Sequence, residues 1–371
     1  MASIKSVAEL TNLAGKTVLV RTDFNVETPR DSLRLEKSLH TIKYLLAQRA
    51  KVVIISHRGR PEGSVVHELS LRCVVPFLRR KASQSIFLFD HFNFDHIKAQ
   101  IAASRPGSLF MLENIRFLSG EESVDSVEAK QLAKRLASLG DYYVNDAFAV
   151  THHPGVSLTE LPKLLPKYAG FLMLDEIENL TKVMKKPAKP LIVIVGGGKA
   201  ADKFSVIKNL HKKADKFLVG GVLANTFFRE KGMDTGYSKI DVSIASSVHK
   251  MLNDKKIVLP LDWMTEKRGK ICDVGPLAVK QFADLIKGSK TIIWNGPPGI
   301  FEDPECRSGT AAIAKAIIQS DAFSVVGGGE TTQYLMQARL IDKFDFVSTG
   351  GGAMLAFLGG KKLPGIEALK G

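Results

Sequence analysis

Short runs of β-branched, leucine and aromatic residues alternate along this chain with helix-length stretches, and that alternation constrains the fold more than any single motif. In the first half the runs are TVLVRTDFNV (17–26), KVVIISH (51–57), SIFLFD (85–90), SLFMLENIRF (108–117) and YYVNDAF (142–148). Helical stretches such as Leu35–Arg49 and Val127–Leu139 separate them. A second series follows Pro190: LIVIV (191–195), KFLVG (216–220), KIVLPLD (256–262), TIIWN (291–295), FSVVGG (323–328) and FDFVSTG (344–350). Uninterrupted apolar strands spaced by helices read as parallel strands covered on both faces. At 371 residues the chain also exceeds one ordinary core. The sequence therefore predicts an α/β protein with two doubly wound parallel-sheet domains.

Between the two series, Met173, Ile177, Leu180 and Met184 recur at the spacing of one helical face. Asp175 and Glu176 lie near the start of this stretch, and Lys182, Lys185 and Lys186 near its end, as the helix dipole favours. Pro187 stops it. The expected division is a first domain over 1–168, a connecting helix over 169–186 and a second domain over 187–371.

Composition excludes several classes. Hydrophobic content of 45% and charged content of 24% are those of a soluble globular protein. No apolar run approaches the roughly 20 residues of a membrane span, and MASIKSVAEL lacks a signal core, so secretion is not expected. Cys73, Cys272 and Cys306 are few and unpatterned, which argues for a reducing compartment and against a disulfide framework or a cysteine zinc site. The net charge of +14 invites a nucleic-acid reading. Against it, basic residues form no dense block, and the 8% of aromatics do not interleave with them. Arginine is concentrated instead: twelve lie in the first 170 positions and only Arg229, Arg268, Arg307 and Arg339 follow. Because arginine grips carboxylate and phosphate bidentately, a small polyanion held by the first half is the better reading.

Parallel sheets deliver their loops to the carboxyl edge, where ligands bind. In the first half those loops carry Asp23, Asn25, His57, Arg58, Arg60 and Arg116. In the second they carry glycine: GGGK (196–199), GG (220–221), NGPPG (295–299), GGGET (327–331) and TGGGA (349–353). One domain offers guanidinium groups and the other offers backbone N–H groups at helix starts, which suits phosphates. This pairing points to group transfer between two anionic ligands. A strand followed by three glycines can also be close helix-on-sheet packing, but Lys199 and Lys203 beside it favour phosphate. The turn is neither G-x-x-x-x-G-K-[ST] nor G-x-G-x-x-G. His152 and His153 are adjacent, point apart and lack a suitably spaced third ligand, so they do not read as a metal site.

VRTDFNV (20–26), SHRGRP (56–61), LENIRF (112–117), YVNDAF (143–148), GGGKAADK (196–203), WNGPPGIFE (294–302), GGGETT (327–332) and STGGGA (348–353) occur in this order, and LPGIEAL closes the chain. With these motifs the sequence resembles the phosphoglycerate kinase family over almost its whole length. The resemblance implies two Rossmann-like domains joined by a hinge helix, with the last ~15 residues returning to the first domain. It implies reversible phosphoryl transfer between 1,3-bisphosphoglycerate and Mg-ADP, giving 3-phosphoglycerate and Mg-ATP, by a cytoplasmic monomer that binds no nucleic acid and no membrane. Carried over residue by residue, Arg34 and Lys199 are catalytic. The substrate set is Asp23, Phe24, Asn25, Arg34, His57, Arg58, Gly59, Arg60, Arg116 and His153. The nucleotide set is Gly197, Gly198, Lys199, Lys203, Gly221, Asn295, Pro297, Gly299, Glu302, Gly328, Gly329, Glu330 and Thr331, with Glu330 on the Mg²⁺ side.

The chain departs from the family pattern in NDAFAVTHHPGV (145–156), where the family usually reads NDAFGTAHR. Ala149 and Val150 replace Gly and Thr, and His153 stands where a substrate-binding arginine is usual. Losing that charge-assisted contact costs on the order of 1.5–3 kcal/mol, and Arg58 is a candidate to compensate. Val222 replaces a glycine in GGVLA (220–224), and Glu330 replaces the family's Asp. The loops after Val26 and around Lys267–Asp273 are short. These departures leave one alternative, a catalytically weakened paralogue that binds nucleotide or phosphoglycerate as a regulator or scaffold. A histidine that replaces arginine must be protonated to do so. Affinity for 3-phosphoglycerate is therefore expected to rise between about pH 7.5 and about pH 6, a range that brackets the reference pKa of about 6.5. A flat titration curve would remove His153 from that role.

Overall fold

TVLVR and KVVII bury every residue, as strands covered on both faces must. In the computed structural model, which describes residues 4–27, 33–266 and 269–371, they are β1 (Thr17–Arg21) and β2 (Lys51–Ile55) of a six-stranded parallel sheet. The others are β3 (Ile86–Phe89), β4 (Leu109–Leu112), β5 (Tyr142–Asn145) and β6 (Lys167–Ala169), in the order β3-β4-β2-β1-β5-β6. The chain leaves β1 towards β2 on one side and returns to β5 on the other, so β1 is the switch point where ligands bind. Arg21 is level with both Ile55 and Asn145, so the loops after β1, β2 and β5 emerge together. Helix Leu33–Ala47 lays Leu35, Leu39, Ile42 and Leu45 against this sheet and shares a core with Val18, Val20, Val52 and Ile54. The three-residue strand β6 was not legible in the sequence.

The chain divides into two units, Met1–Ile177 with Lys362–Gly371, and Glu178–Lys361. The second has its own sheet, from β7 (Leu191–Val195), β8 (Lys216–Val219), β9 (Ile257–Val258), β12 (Thr291–Asn295), β13 (Phe323–Gly327) and β14 (Phe346–Val347). Its order is β14-β13-β12-β7-β8-β9, all parallel. The expected strand over 256–262 is shortened to two residues. After it the chain forms an antiparallel pair, β10 (Trp263–Thr265) and β11 (Ile271–Val274), which the sequence did not announce. Arg30, Arg268, the loop after Glu27 up to position 32 and part of that around Lys267–Asp273 fall outside the described residues. Among the described residues no helix is long and apolar enough to cross a membrane.

The helix expected between the two series spans Phe171–Lys185. Leu172, Met173, Leu180 and Val183 are buried along it, with Ile177 and Met184 partly so, because the buried stripe also takes in Glu176. The segment Lys362–Gly371 joins the first unit: Gly365 N–H donates to the Thr151 carbonyl at 3.0 Å, and Ile4 bridges Lys370.

Asp146, one residue past β5, anchors the first turn of helix Phe171–Lys185. Its Oδ1 accepts the Met173 N–H at 3.3 Å, and the Thr41 hydroxyl that donates to it accepts the Phe171 N–H at 2.9 Å. The approach requires glycine, since a Cβ on Gly170 would run into the Asp146 carboxyl. Burial pushes the Asp146 pKa up to about 7, beyond what the hydrogen bonds from Thr41, Met173 and Leu172 offset. A carboxyl whose folded pKa is raised contributes stability that is fully present below its unfolded pKa and is lost as pH rises through about 7. Asp146→Asn is therefore expected to gain on the wild type, by on the order of 2–3 kcal/mol between about pH 5 and about pH 8. Urea unfolding of both proteins across that range checks it; a constant difference contradicts the assignment.

Candidate active site in two half-sites

The first half-site lies at the carboxyl edge of β1, β2 and β4. Asp23 is buried, its Oδ1 accepting the Asn25 N–H at 3.0 Å, its Oδ2 3.1 Å from Arg34 and its Oδ1 3.9 Å from His57 Nε2. Burial alone would raise its pKa, but Arg34, His57, the Asn25 N–H and Arg21 outweigh that and hold the carboxyl below its ordinary value. His57 is 1% exposed; burial first, then Arg21, Arg116 and Arg34, hold its pKa well below the ordinary value against the pull of Asp23. It is therefore a neutral imidazole at neutral pH. Asn25 Oδ1 accepts the Gly59 N–H at 2.9 Å, and the Gly59 carbonyl accepts from Arg116 at 2.8 Å. A second Arg116 nitrogen pairs with Glu122 at 3.0 Å.

Not every expected residue meets this edge in the expected way. Phe24 turns its ring into the core, and its N–H goes to Ser56 Oγ at 2.9 Å. Arg58 reaches the carbonyls of Val26, Glu27 and Glu68, so its guanidinium holds two loops together rather than standing ready to replace a missing arginine. Arg60 and His153 are exposed, and the His153 ring lies 3.9 Å from that of His152. Sequence reasoning missed Arg21, Ser157 and Glu121, which form a buried polar chain behind His57. Arginine inside an otherwise apolar strand, VLVR, was the available signal.

The second half-site forms where β7, β8, β12 and β13 end. The chain ends are locked by backbone hydrogen bonds: Gly196 to Asn295 (3.0 Å), Gly197 to Pro297 (2.7 Å), Gly221 to Pro298 (3.0 Å) and Val222 to Gly197 (3.2 Å). A Cβ at Gly196 would strike the Pro297 carbonyl, and Gly197 sits at φ +71, so glycine is required at both. Helices Ala200–Leu210, Gly221–Glu230 and Gly329–Gln337 all start here without a side-chain cap. Some of their first N–H groups are already used: Ala201 donates to Asp241 at 3.2 Å, and Gly221 and Val222 donate to carbonyls, so among the described residues the start at Gly329 is the one left open to an anion. Lys199 is exposed at the first of these starts. Lys203 is buried; burial lowers its pKa, with Glu330 and Asp202 opposing and Lys199 assisting.

A cavity of about 260 Å³ opens beside these helix starts. Gly197, Gly198, Gly221, Pro297, Gly299, Glu302 and Glu330 line it, as does Val222. Its apolar wall includes Phe228, Pro260, Trp263 and Ile271, with Lys239 and Lys270 at its margin. The Trp263 and Phe228 rings lie 4.7 Å apart. None of these wall residues was foreseen, because the β10–β11 pair that carries Trp263 and Ile271 was not. Asn295 is buried, and Thr331 uses its hydroxyl to accept the Gly296 N–H at 2.8 Å. Gly328, at φ +103, directly precedes the helix of Gly329 and Glu330.

The cysteines correct one expectation. Cys272 and Cys306 form a disulfide, with their Cα atoms 5.4 Å apart. They are 34 residues apart in sequence, but the Ile300 N–H donates to the Cys272 carbonyl at 2.8 Å and folds the loop after β12 onto β11. Tertiary structure, not spacing, makes the pair, and cysteine usage no longer argues for a reducing compartment. Cys73 is free and exposed. Among the described residues no group of three or more His, Cys, Asp or Glu is placed to hold a metal.

Guanidinium groups around a buried carboxylate on one sheet, and lysines and glycine-rich helix starts beside an apolar cavity on another, define a two-unit α/β phosphotransferase. Residues 7–361 match the family model described as phosphoglycerate kinase. The chain is 37% identical to the phosphoglycerate kinase of Citrifermentans bemidjiense over 99% of its length and 98% of that protein's. It is 38% identical to that of Moorella thermoacetica, over 96% and 97%. Among solved structures, the phosphoglycerate kinase of Coxiella burnetii superposes with a TM-score of 0.84 at 34% identity, covering 99% of both chains. That of Pyrococcus horikoshii gives 0.87 at 30% identity, covering 99% and 98%. The chain belongs to the phosphoglycerate kinase family.

A crosslink closing a 34-residue span stabilises by roughly 3–4 kcal/mol in the chain-entropy account. The paired variant Cys272→Ser with Cys306→Ser is expected to melt lower than the oxidised wild type and to match the wild type kept in dithiothreitol. Identical melting curves for all three samples would show that the link contributes nothing.

Proposed function

We propose that this chain catalyses reversible phosphoryl transfer between 1,3-bisphosphoglycerate and Mg-ADP, giving 3-phosphoglycerate and Mg-ATP. The observation that carries the reading is the coexistence in one chain of two complementary half-sites: a buried Asp23–His57 pair ringed by arginines, and a glycine-rich sheet edge that carries Lys199, Lys203 and the open helix start at Gly329. Asp23 and Asn25 hold glycerate oxygens, while Arg34, His57, Arg60 and Arg116 hold phosphate and carboxylate. The base and ribose take the cavity walled by Trp263, Phe228 and Glu302, with the phosphates beside Gly198, Lys199 and Lys203 and on the helix start at Gly329.

The nucleophile, a carboxylate of 3-phosphoglycerate or a phosphate of ADP, is already ionised at neutral pH, so no general base is required. The barrier then falls through alignment and through cancellation of charge on the equatorial oxygens. Lys199 and Arg34 supply fixed cations for the moving group. Glu330 is exposed at the start of helix Gly329–Gln337, beside the cavity. A single carboxylate suits Mg²⁺, which keeps several waters and binds mainly to substrate phosphates. Mg²⁺ arriving with the nucleotide would add charge neutralisation, with Glu330 holding its water shell. Under this reading the enzyme works in the cytoplasm as a monomer.

In a coupled assay of ATP-dependent 1,3-bisphosphoglycerate formation, the wild type is expected to turn over. Lys199→Ala is expected to lose roughly 10²–10³-fold in kcat, the usual cost of removing one donor from a developing charge. Wild-type turnover no higher than that of Lys199→Ala would refute the reading.

A further inference from the structure

Arg21 closes β1 with its side chain 2% exposed, yet among the described residues no carboxylate comes within ion-pair distance of it. Its Nε–H donates to Ser157 Oγ at 2.7 Å, and Ser157 in turn donates to Glu121 Oε1 at 2.5 Å. The Ser157 N–H fixes the second Glu121 oxygen at 3.0 Å, and the Tyr143 hydroxyl donates to the Ser157 carbonyl at 2.7 Å. A further guanidinium bond goes to the Thr22 carbonyl. The plane of the guanidinium is thus set by two bonds, one of them to a serine that is itself held by Glu121 and Tyr143. Its two terminal nitrogens both lie 3.4 Å from Nδ1 of His57.

Guanidinium nitrogens carry only hydrogens, so Nδ1 must present its lone pair to them. The one ring proton of His57 is then on Nε2. That atom is buried, has no hydrogen-bond partner and lies 3.9 Å from Asp23 Oδ1. We propose that Arg21 is a positioning residue that keeps Nδ1 unprotonated, so that His57 meets its ligand as a neutral Nε2–H donor. Without Arg21, Asp23 would draw a second proton onto the ring, and the two would form an internal ion pair that consumes the donor. The groups that face His57 divide accordingly. Asp23 favours the charged ring, while Arg21, Arg116 and Arg34 oppose it together with burial. Arg21 touches no ligand in this scheme; it acts through His57. That the ligand is a glycerate phosphate or carboxylate rests on the function proposed above.

The test is the protonation state of each His57 nitrogen, read from long-range ¹H–¹⁵N spectra of the full chain with labelled histidine, with His57→Gln used for assignment. Between about pH 8 and about pH 5.5, a range spanning the reference histidine pKa of about 6.5, wild-type His57 is expected to remain a single neutral Nε2–H form. In Arg21→Met it is expected to titrate within that window, and Arg21→Lys, which restores a charge beside Nδ1, is expected to move it back. Arg21→Met is further expected to raise KM for 3-phosphoglycerate about tenfold, the loss of about one neutral hydrogen bond, with KM for ATP unchanged. A wild-type ring that carries its proton on Nδ1, or titrates in this window, overturns the proposal even if no variant folds. So does a folded Arg21→Met protein with unchanged His57 signals. Addition of 3-phosphoglycerate is expected to shift the Nε2–H signal and leave Nδ1 bare. If neither nitrogen responds while the wild-type form is as stated, the glycerate assignment fails and the positioning role stands.

Discussion

Register between parallel strands is the constraint on which both half-sites depend. Arg21 stands level with Ile55 and Asn145, and Val195 with Asn295 and Val219. Each strand is an uninterrupted apolar run, so its first polar or glycine residues must appear where the sheet stops covering it. Equal register makes those endings coincide. Asp23, His57 and Asp146 therefore gather at one edge although more than 120 positions separate the first from the last. In the same way, Gly196, Gly220 and Gly296 collect at another. A slip of one residue in any central strand would shift its polar ending by about 3.3 Å along the sheet and take it out of line with its neighbours.

Residues at the two edges then solve opposite electrostatic problems. In the first unit, charge is brought into a buried place and must be compensated there. Asp23 gains Arg34 and a backbone N–H, and Arg21 reaches Glu121 only by way of a serine. In the second unit positive charge is supplied by a backbone dipole at the helix start of Gly329 and by Lys199 and Lys203, while the buried Asp273 beside the cavity is satisfied by the Gly309 and Val274 N–H groups. Under the function proposed above, the first arrangement would be selective, because fixed directional groups would read the ligand's shape. The second would be permissive, because N–H groups read only negative charge, and discrimination would pass to the cavity wall of Trp263, Phe228 and Val222.

How much of this was legible follows from which interactions are local. The strands of both sheets stood out because their apolar runs are continuous, and the glycine turns stood out because a positive φ or a close backbone contact leaves few alternatives to glycine. Arg58 and Thr331 were legible as polar residues at strand ends but not as structural ones. What occupies them, the carbonyls of residues 26, 27 and 68 and the Gly296 N–H, is set by tertiary packing. Arg21 was hidden for the opposite reason: a charged residue at the end of an apolar run looks like an edge, whereas its partners Ser157 and Tyr143 are more than 120 residues away. The β10–β11 pair carries too few residues for its period to show, and with it went Trp263 and the proximity of Cys272 to Cys306.

The return of Lys362–Gly371 to the first unit has a consequence for synthesis. The second unit, Glu178–Lys361, is continuous in sequence and needs no segment from outside it to complete its core, whereas the first unit does. The first unit begins earlier but finishes later. The Ile4–Lys370 bridge and the Gly365–Thr151 hydrogen bond form only when the final ten positions have been made. The half that is made first is thus tied to residues made more than 350 positions later, through Ile4 and Lys370.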